Sequence, residues 1–192
     1  MQFSIVVLAS GSGSLFQALI DAPNRGTDFD IAGLITDNPN AKAIERAAKA
    51  GIQIAVLPLA DFPDRDAWNQ AVADAANYFS PDLLVSAGFM RVLAEPVITD
   101  FAGKFINTHP ALLPKFPGAH AVRDALAAGV NETGSTVHFV DAGVDTGPVI
   151  TQKVIPVFPT DTEAELHERI KIVERELLLE VVTQMSKEKS KG

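Results

Sequence analysis

The sequence predicts a single α/β domain: a mostly parallel twisted sheet with helices on both faces and an antiparallel strand pair towards its carboxyl end. Three features carry the prediction. Short continuous apolar runs, Ile5-Val6-Val7-Leu8-Ala9 and Leu83-Leu84-Val85, are the kind of strand that is buried on both faces. Segments of helical spacing lie between such runs, as parallel strands joined by right-handed crossovers require. From Gly134 the pattern changes to alternation in Ser135-Thr136-Val137-His138-Phe139-Val140, which suits one member of an antiparallel pair.

In order along the chain, the first strand runs from Ile5 to Ala9 and stops at Ser10-Gly11-Ser12-Gly13-Ser14. Leu15, Phe16, Ala18, Leu19 and Ile20 then form one helix face. Asp30 to Thr36 is a second strand, Ala41 to Ala50 an alanine-rich helix closed by Gly51, and Ile52 to Val56 a third strand. Asp64 to Phe79 carries Trp68, Val72, Ala75, Ala76 and Phe79 at helical spacing, and Pro81 ends it before the Leu83 strand. A short helix spans Pro96 to Phe101 and a strand Lys104 to Thr108. After a glycine-rich loop, Val149 to Val157 pairs with the alternating strand, and a last helix covers Glu163 to about Met185. The domain accordingly spans 1–185, and the Lys- and Ser-rich residues 186–192 read as a solvated tail.

The composition narrows the function classes. The chain has 192 residues, 47% of them hydrophobic, ample for one core and too apolar for disorder. A net charge of −8 argues against broad neutralisation of phosphates, so no nucleic-acid partner is expected. The absence of cysteine excludes disulfides, thiolate metal sites and a cysteine nucleophile. No apolar stretch reaches the ~18 residues of a membrane span, and Met1-Gln2-Phe3 lacks the basic start of a signal peptide. A cytoplasmic protein with no membrane partner is the expectation.

Ligands of open α/β sheets bind outside the carboxyl ends of the strands, so the loops there are where chemistry is sought. Gly11-Ser12-Gly13-Ser14 permits close backbone approach to an oxyanion or phosphate. Phe16 stands where a dinucleotide fingerprint needs a third glycine, and the same residues would also make an ordinary capped turn. Gly88-Phe89-Met90-Arg91-Val92-Leu93 suits the lining of a flat heterocycle, or equally core packing beside a solvated arginine. Asn107 and His109, two apart at a strand end, leave from one face and together could hold an oxyanion. Asp141-Ala142-Gly143-Val144-Asp145-Thr146-Gly147-Pro148 is either a plain hairpin turn or the source of a carboxylate beside His109 that favours its charged form. His120, His138 and His167 read as structural, with no zinc-ligand spacing among them. No nucleophile elbow is present, which favours direct transfer over a covalent enzyme intermediate.

Taken together, Ser10 to Ser14, Ala87-Gly88-Phe89-Met90-Arg91, Asn107-Thr108-His109-Pro110-Ala111-Leu112-Leu113-Pro114 with Lys115-Phe116-Pro117-Gly118, and Asp145-Thr146-Gly147-Pro148 resemble the folate-dependent formyltransferases. Within that family, the short chain, the Phe-Pro-Gly after Lys115 and the His167 to Glu174 segment are similar to the enzymes of purine synthesis that act on glycinamide ribonucleotide. The resemblance implies a Rossmann-like formyltransferase fold, 10-formyltetrahydrofolate as formyl-donor cosubstrate, no metal, and small-molecule substrates handled by a monomer or homodimer. It makes Asn107, His109 and Asp145 the catalytic trio. It assigns the folate to Arg65, reaching in from its own loop, to Met90, Arg91, Val92 and Leu93, and to Asn107, Asp141, Ala142, Gly143, Val144 and Asp145. It assigns the ribonucleotide to Gly13, Ser14 and Leu15 at the phosphate and to Lys171 and Glu174 at the ribose. Leu15 departs from the asparagine common in the family, which removes a side-chain hydrogen bond there. Related enzymes that formylate methionyl-tRNA or hydrolyse the donor would be expected to carry a further domain, for which this chain has no room. A non-catalytic module of the same fold would be expected to have a broken trio.

Overall fold

The computed structural model describes residues 2–22 and 29–190; Lys191 and Gly192, the end of the expected tail, lie outside them. Seven strands form one sheet in the order β3-β2-β1-β4-β5-β6-β7. They are β1 (Phe3–Leu8), β2 (Phe29–Thr36), β3 (Gln53–Val56), β4 (Leu83–Ser86), β5 (Phe105–His109), β6 (Glu132–Phe139) and β7 (Val149–Pro156). The pairings from β3 through β5 are parallel. β6 runs antiparallel to β5, and β7 antiparallel to β6. The expected α/β architecture and its late antiparallel strands are therefore what the chain forms. Strand ends differ from the sequence reading by one to three residues, as ends do, and one of these shifts matters because it places His109 inside β5 as its last residue.

Among the described residues six α-helices flank the sheet: α1 (Ser14–Ile20), α2 (Lys42–Ala50), α3 (Arg65–Phe79), α4 (Val97–Asp100), α5 (Ala121–Ala127) and α6 (Glu163–Lys189). β1 shows why the apolar runs had to be continuous. Phe3, Ile5, Val7 and Ala9 pack under α1, α2 and α6, whereas Val6 and Leu8 face the opposite core beneath α3 and α4 with Trp68, Val72 and Val97. Both sides of such a strand are removed from water, so alternation has no polar face to serve. Helix starts are locally encoded. The Asp64 carboxylate accepts the Ala67 N–H at 2.8 Å ahead of α3, and Thr162 and Glu165 form a reciprocal capping box ahead of α6. Gly51 closes α2 in the left-handed region at φ 71°.

The carboxyl end corrects the sequence reading. Residues 186–189 continue α6; Ser186 is wholly buried, whereas Lys187, Glu188 and Lys189 stay exposed as expected of a solvated segment. Lys187 and Lys189 complement the negative end of the helix dipole. Lys189 also pairs with Asp82, whose other oxygen accepts the Ser4 N–H at 2.9 Å, and its ammonium lies 6.0 Å from the Phe3 ring centre. A Lys- and Glu-rich segment looks solvated in composition, yet long stems can cover apolar surface while their charged ends find partners.

Candidate active site

The strand order reverses between β1 and β4, and crossovers leave that point in opposite directions, so the loops after the two strands splay apart. A cavity of about 470 Å³ opens there, walled by the loops after β1, β4 and β5, the β6–β7 loop and side chains of α6. Gly13, Ser14, Leu15, Lys171 and Glu174 line it, as do Met90 to Leu93, Asn107, Asp141, Gly143, Val144 and Asp145. Two expected residues fall outside the lining. Ala142 is one. Arg65 is the other: it is the first residue of α3 rather than part of a loop, its guanidinium lies 5.7 Å from the Trp68 ring centre, and it donates to the Val92 carbonyl. Arg65 is exposed and is tied by that bond to the backbone of the Met90–Leu93 wall.

The chemistry concentrates at the end of β5. Its register with β6 sets Asn107 opposite His138 and His109 opposite Thr136. Asp145, in the left-handed region at φ 54°, brings its carboxylate between the two histidines. Its Oδ2 lies 3.3 Å from His109 Nδ1 and accepts the Gly118 N–H at 2.8 Å. Its Oδ1 lies 3.6 Å from His138 Nε2, beyond hydrogen-bond range but well within electrostatic reach. His109 Nε2 donates to the Phe116 carbonyl at 2.7 Å. Both ring nitrogens of His109 therefore lie near pure acceptors, a carbonyl at Nε2 and a carboxylate at Nδ1. Asn107 Nδ2 sits 3.3 Å from His138 Nε2, and His138 Nδ1 donates to the Phe139 carbonyl at 2.8 Å. The loop after His109 is tied to the hairpin by Thr136 Oγ1, which donates to the Ala111 carbonyl at 2.6 Å, and by Gln152 Nε2, 2.8 Å from the Leu113 carbonyl.

Burial works to raise the Asp145 carboxyl, but the approach of His138, the Gly118 N–H and the charge of His109 outweigh it and hold the group below its ordinary range. For another carboxyl of the same lining the balance reverses. Glu174 is 5% exposed, and burial pushes its carboxyl up to about 7, against the smaller opposing pull of Lys171 and Arg175. Burial likewise lowers the His167 imidazole, helped by Lys171.

The glycine loop is shaped by close packing as well as by any ligand. Gly13 has φ 67°, and a Cβ there would lie 3.0 Å from both Cα and Cβ of Ala43 on α2. Arg46 of α2 donates to the Ser12 carbonyl at 2.8 Å and to Gln17 at 2.8 Å, clamping the loop from outside. Leu15 sends its side chain into the core, so only its backbone can serve the cavity. On the opposite wall Phe89 stacks on Trp68 and Leu93 is buried, whereas Met90, Val92 and Val144 are 70%, 53% and 50% exposed around the opening. Exposed apolar side chains gathered at one mouth mark a binding surface rather than core.

The three histidines read as structural all line this cavity. His138 is the consequential omission, because it touches both Asn107 and Asp145. Its position in an alternating strand gave no hint. The only usable signal was that a histidine on an inward-facing position of β6 must meet whatever β5 presents at the same level.

Residues 3–182 match the formyl transferase family. The chain belongs to that family. A phosphoribosylglycinamide formyltransferase from Mycobacterium tuberculosis H37Rv is 49% identical over 95% of this chain and 84% of its own length. The phosphoribosylglycinamide formyltransferase of Escherichia coli K12 is 40% identical over 89% of this chain and 81% of its own. Among solved structures, glycinamide ribonucleotide transformylase 1 from Symbiobacterium toebii superposes with a TM-score of 0.94 at 39% identity, covering 97% of this chain and 88% of that one. This formyl transferase thus shares with those relatives both its fold and nearly its whole sequence span.

Proposed function

We propose that the chain transfers the formyl group of 10-formyltetrahydrofolate to the amine of glycinamide ribonucleotide, as a cytoplasmic step of purine synthesis on small molecules. The observation that carries this reading is the convergence of Asn107, His109 and Asp145 in a cavity that the Gly13–Leu15 loop, the Met90–Leu93 wall, Lys171 and Glu174 also line. Met90 to Leu93, Val144 and the neighbouring backbone receive the flat folate, with Arg65 bonded to that wall. The backbone of Gly13 to Leu15 receives the phosphate, and Lys171 and Glu174 the ribose.

The amine attacks the formyl carbon, and negative charge grows on the formyl oxygen. The His109 imidazolium and the Asn107 amide donate to that oxygen, and the Asp145 carboxylate balances the imidazolium charge. Collapse breaks the bond from the formyl carbon to N10 of the folate; N10 gains a proton and the former amine loses one. His109 Nε2 already donates to the Phe116 carbonyl, so arrival of the formyl oxygen exchanges one acceptor for another at that nitrogen. No nucleophilic side chain takes part. An assay with 10-formyltetrahydrofolate that offers glycinamide ribonucleotide, initiator methionyl-tRNA and water in parallel tests the reading. Formylation of the ribonucleotide is expected; turnover with another acceptor alone would overturn it.

A further inference from the structure

Loops leaving three neighbouring parallel strands meet at one side chain that stands outside the cavity. Asp37 directly follows β2, and its carboxylate is 5% exposed. Through Oδ1 it accepts the Ser10 hydroxyl, from the loop after β1, at 2.5 Å. Through Oδ2 it accepts Arg91 Nε, from the loop after β4, at 2.8 Å. The same two loops are stitched directly to each other. Ser10 Oγ accepts the Met90 N–H at 2.9 Å, and the Ser10 N–H donates to the Gly88 carbonyl at 3.1 Å. Asn38, next to Asp37, donates to the Ser10 carbonyl at 3.0 Å.

These contacts lie at the topological switch point, where the β1–β4 ladder runs out with the Ala87 N–H on the Leu8 carbonyl and the Ser10 N–H on the Gly88 carbonyl. Ser10 opens the loop whose next residues line the cavity, and Met90 and Arg91 belong to the folate wall. Asp37 is not part of the lining, so it touches both loops and neither ligand. A buried carboxylate accepts only, and it keeps its place here because each oxygen has a donor. Arg91 is engaged through Nε alone and is 45% exposed, so the pairing sets the plane in which the rest of the guanidinium faces the opening.

We propose that Asp37 is a positioning residue that sets the separation of the two substrate loops and thereby aligns the attacking amine with the formyl carbon. The inference rests on the two-substrate reading above. Its physical basis is the steep dependence of transfer rates on the relative placement of two bound reactants. Ser10 is the shared relay, because one hydroxyl gives its proton to Asp37 and takes the Met90 N–H.

The decisive experiment compares wild type with Asp37→Asn, using separate titrations with glycinamide ribonucleotide and with a non-reactive folate analogue, alongside steady-state turnover. The amide keeps the volume of the carboxylate but cannot accept through both ends. Both dissociation constants are expected to rise about fivefold or more, the low end of coupling between sites. Ser10→Ala should weaken the same two ligands, and Ser10→Ala combined with Asp37→Asn should be no worse than the more severe single change, because both remove one connection. A packing role alone would lower the melting temperature and leave the constants of the folded protein unchanged, which would overturn the inference. So would a loss confined to one ligand. Should Asp37→Asn fail to fold, Ser10→Ala decides by the same two titrations. A wild-type protein without formyl transfer to the ribonucleotide overturns the functional reading and this inference with it; normal wild-type turnover beside unaltered variant constants overturns this inference alone.

Discussion

Two carboxyls that line the same cavity are treated in opposite ways by their surroundings. Asp145 sits between two histidines and a backbone N–H, and its proton is driven off. Glu174 is sunk into α6 packing, and burial draws its proton on until the group titrates at about 7. One environment is built around a permanent negative charge that can offset an imidazolium. The other leaves a carboxyl shared between its protonated and ionised forms near neutral pH. Such divergence between two acids lining one site is how a fold separates charge stabilisation from recognition.

The contrast can be broken at either end. His109→Ala should have the largest effect, a fall in turnover of about 100-fold to 1000-fold, read by initial rates at saturating substrates. Because His109 is 4% exposed and bonded to Phe116, the same variant should also lose some thermal stability, measurable by calorimetry. Asp145→Asn should lower turnover by about 100-fold, since it removes the charge that balances the imidazolium while preserving shape. Gly13→Val should raise the Michaelis constant for the ribonucleotide about tenfold with little change for the folate, because a side chain meets Ala43 and the left-handed backbone is strained.

Glu174→Gln sharpens the comparison with the smallest change. The folded-state value of Glu174 is raised from 4.5 to about 7, so the folded protein holds a proton that the unfolded chain releases. Its contribution is fully present below about pH 4.5 and is lost as pH rises through about 7. Glutamine cannot ionise. The free variant should therefore match wild type near pH 4.5 and exceed it by about 3 kcal/mol at pH 8, in denaturant titrations at the two pH values. Asp145 has the opposite sign: its depressed value stabilises the fold above the ordinary aspartate range, and that stability fades as acid protonates it.

What the sequence revealed and concealed follows from range. Strand–loop–helix order, the cap at Asp64 and the stop at Gly51 are local, and each was readable from a few neighbouring residues. The Asn107 and His109 pair was readable because both sit on one strand. The meeting of His109 with Asp145 was only conceivable, since a turn residue may point anywhere until the hairpin closes. His138 was misread because strand register is not written in periodicity, and only the β5–β6 pairing puts it opposite Asn107. Asp37 is illegible for a related reason: a lone aspartate after a strand acquires meaning only when Ser10 and Arg91 arrive from elsewhere in the chain. The helical course of residues 186–189 was hidden by a composition that describes solubility rather than contact.

The clasp of Lys189, Asp82 and Ser4 has an architectural consequence. Ser4 and Asp82 stand at the entry ends of β1 and β4, so both extremities of the described chain gather beneath the sheet, across from the exit ends that wall the cavity. Appended sequence would hang from the underside of the molecule and leave the mouth clear.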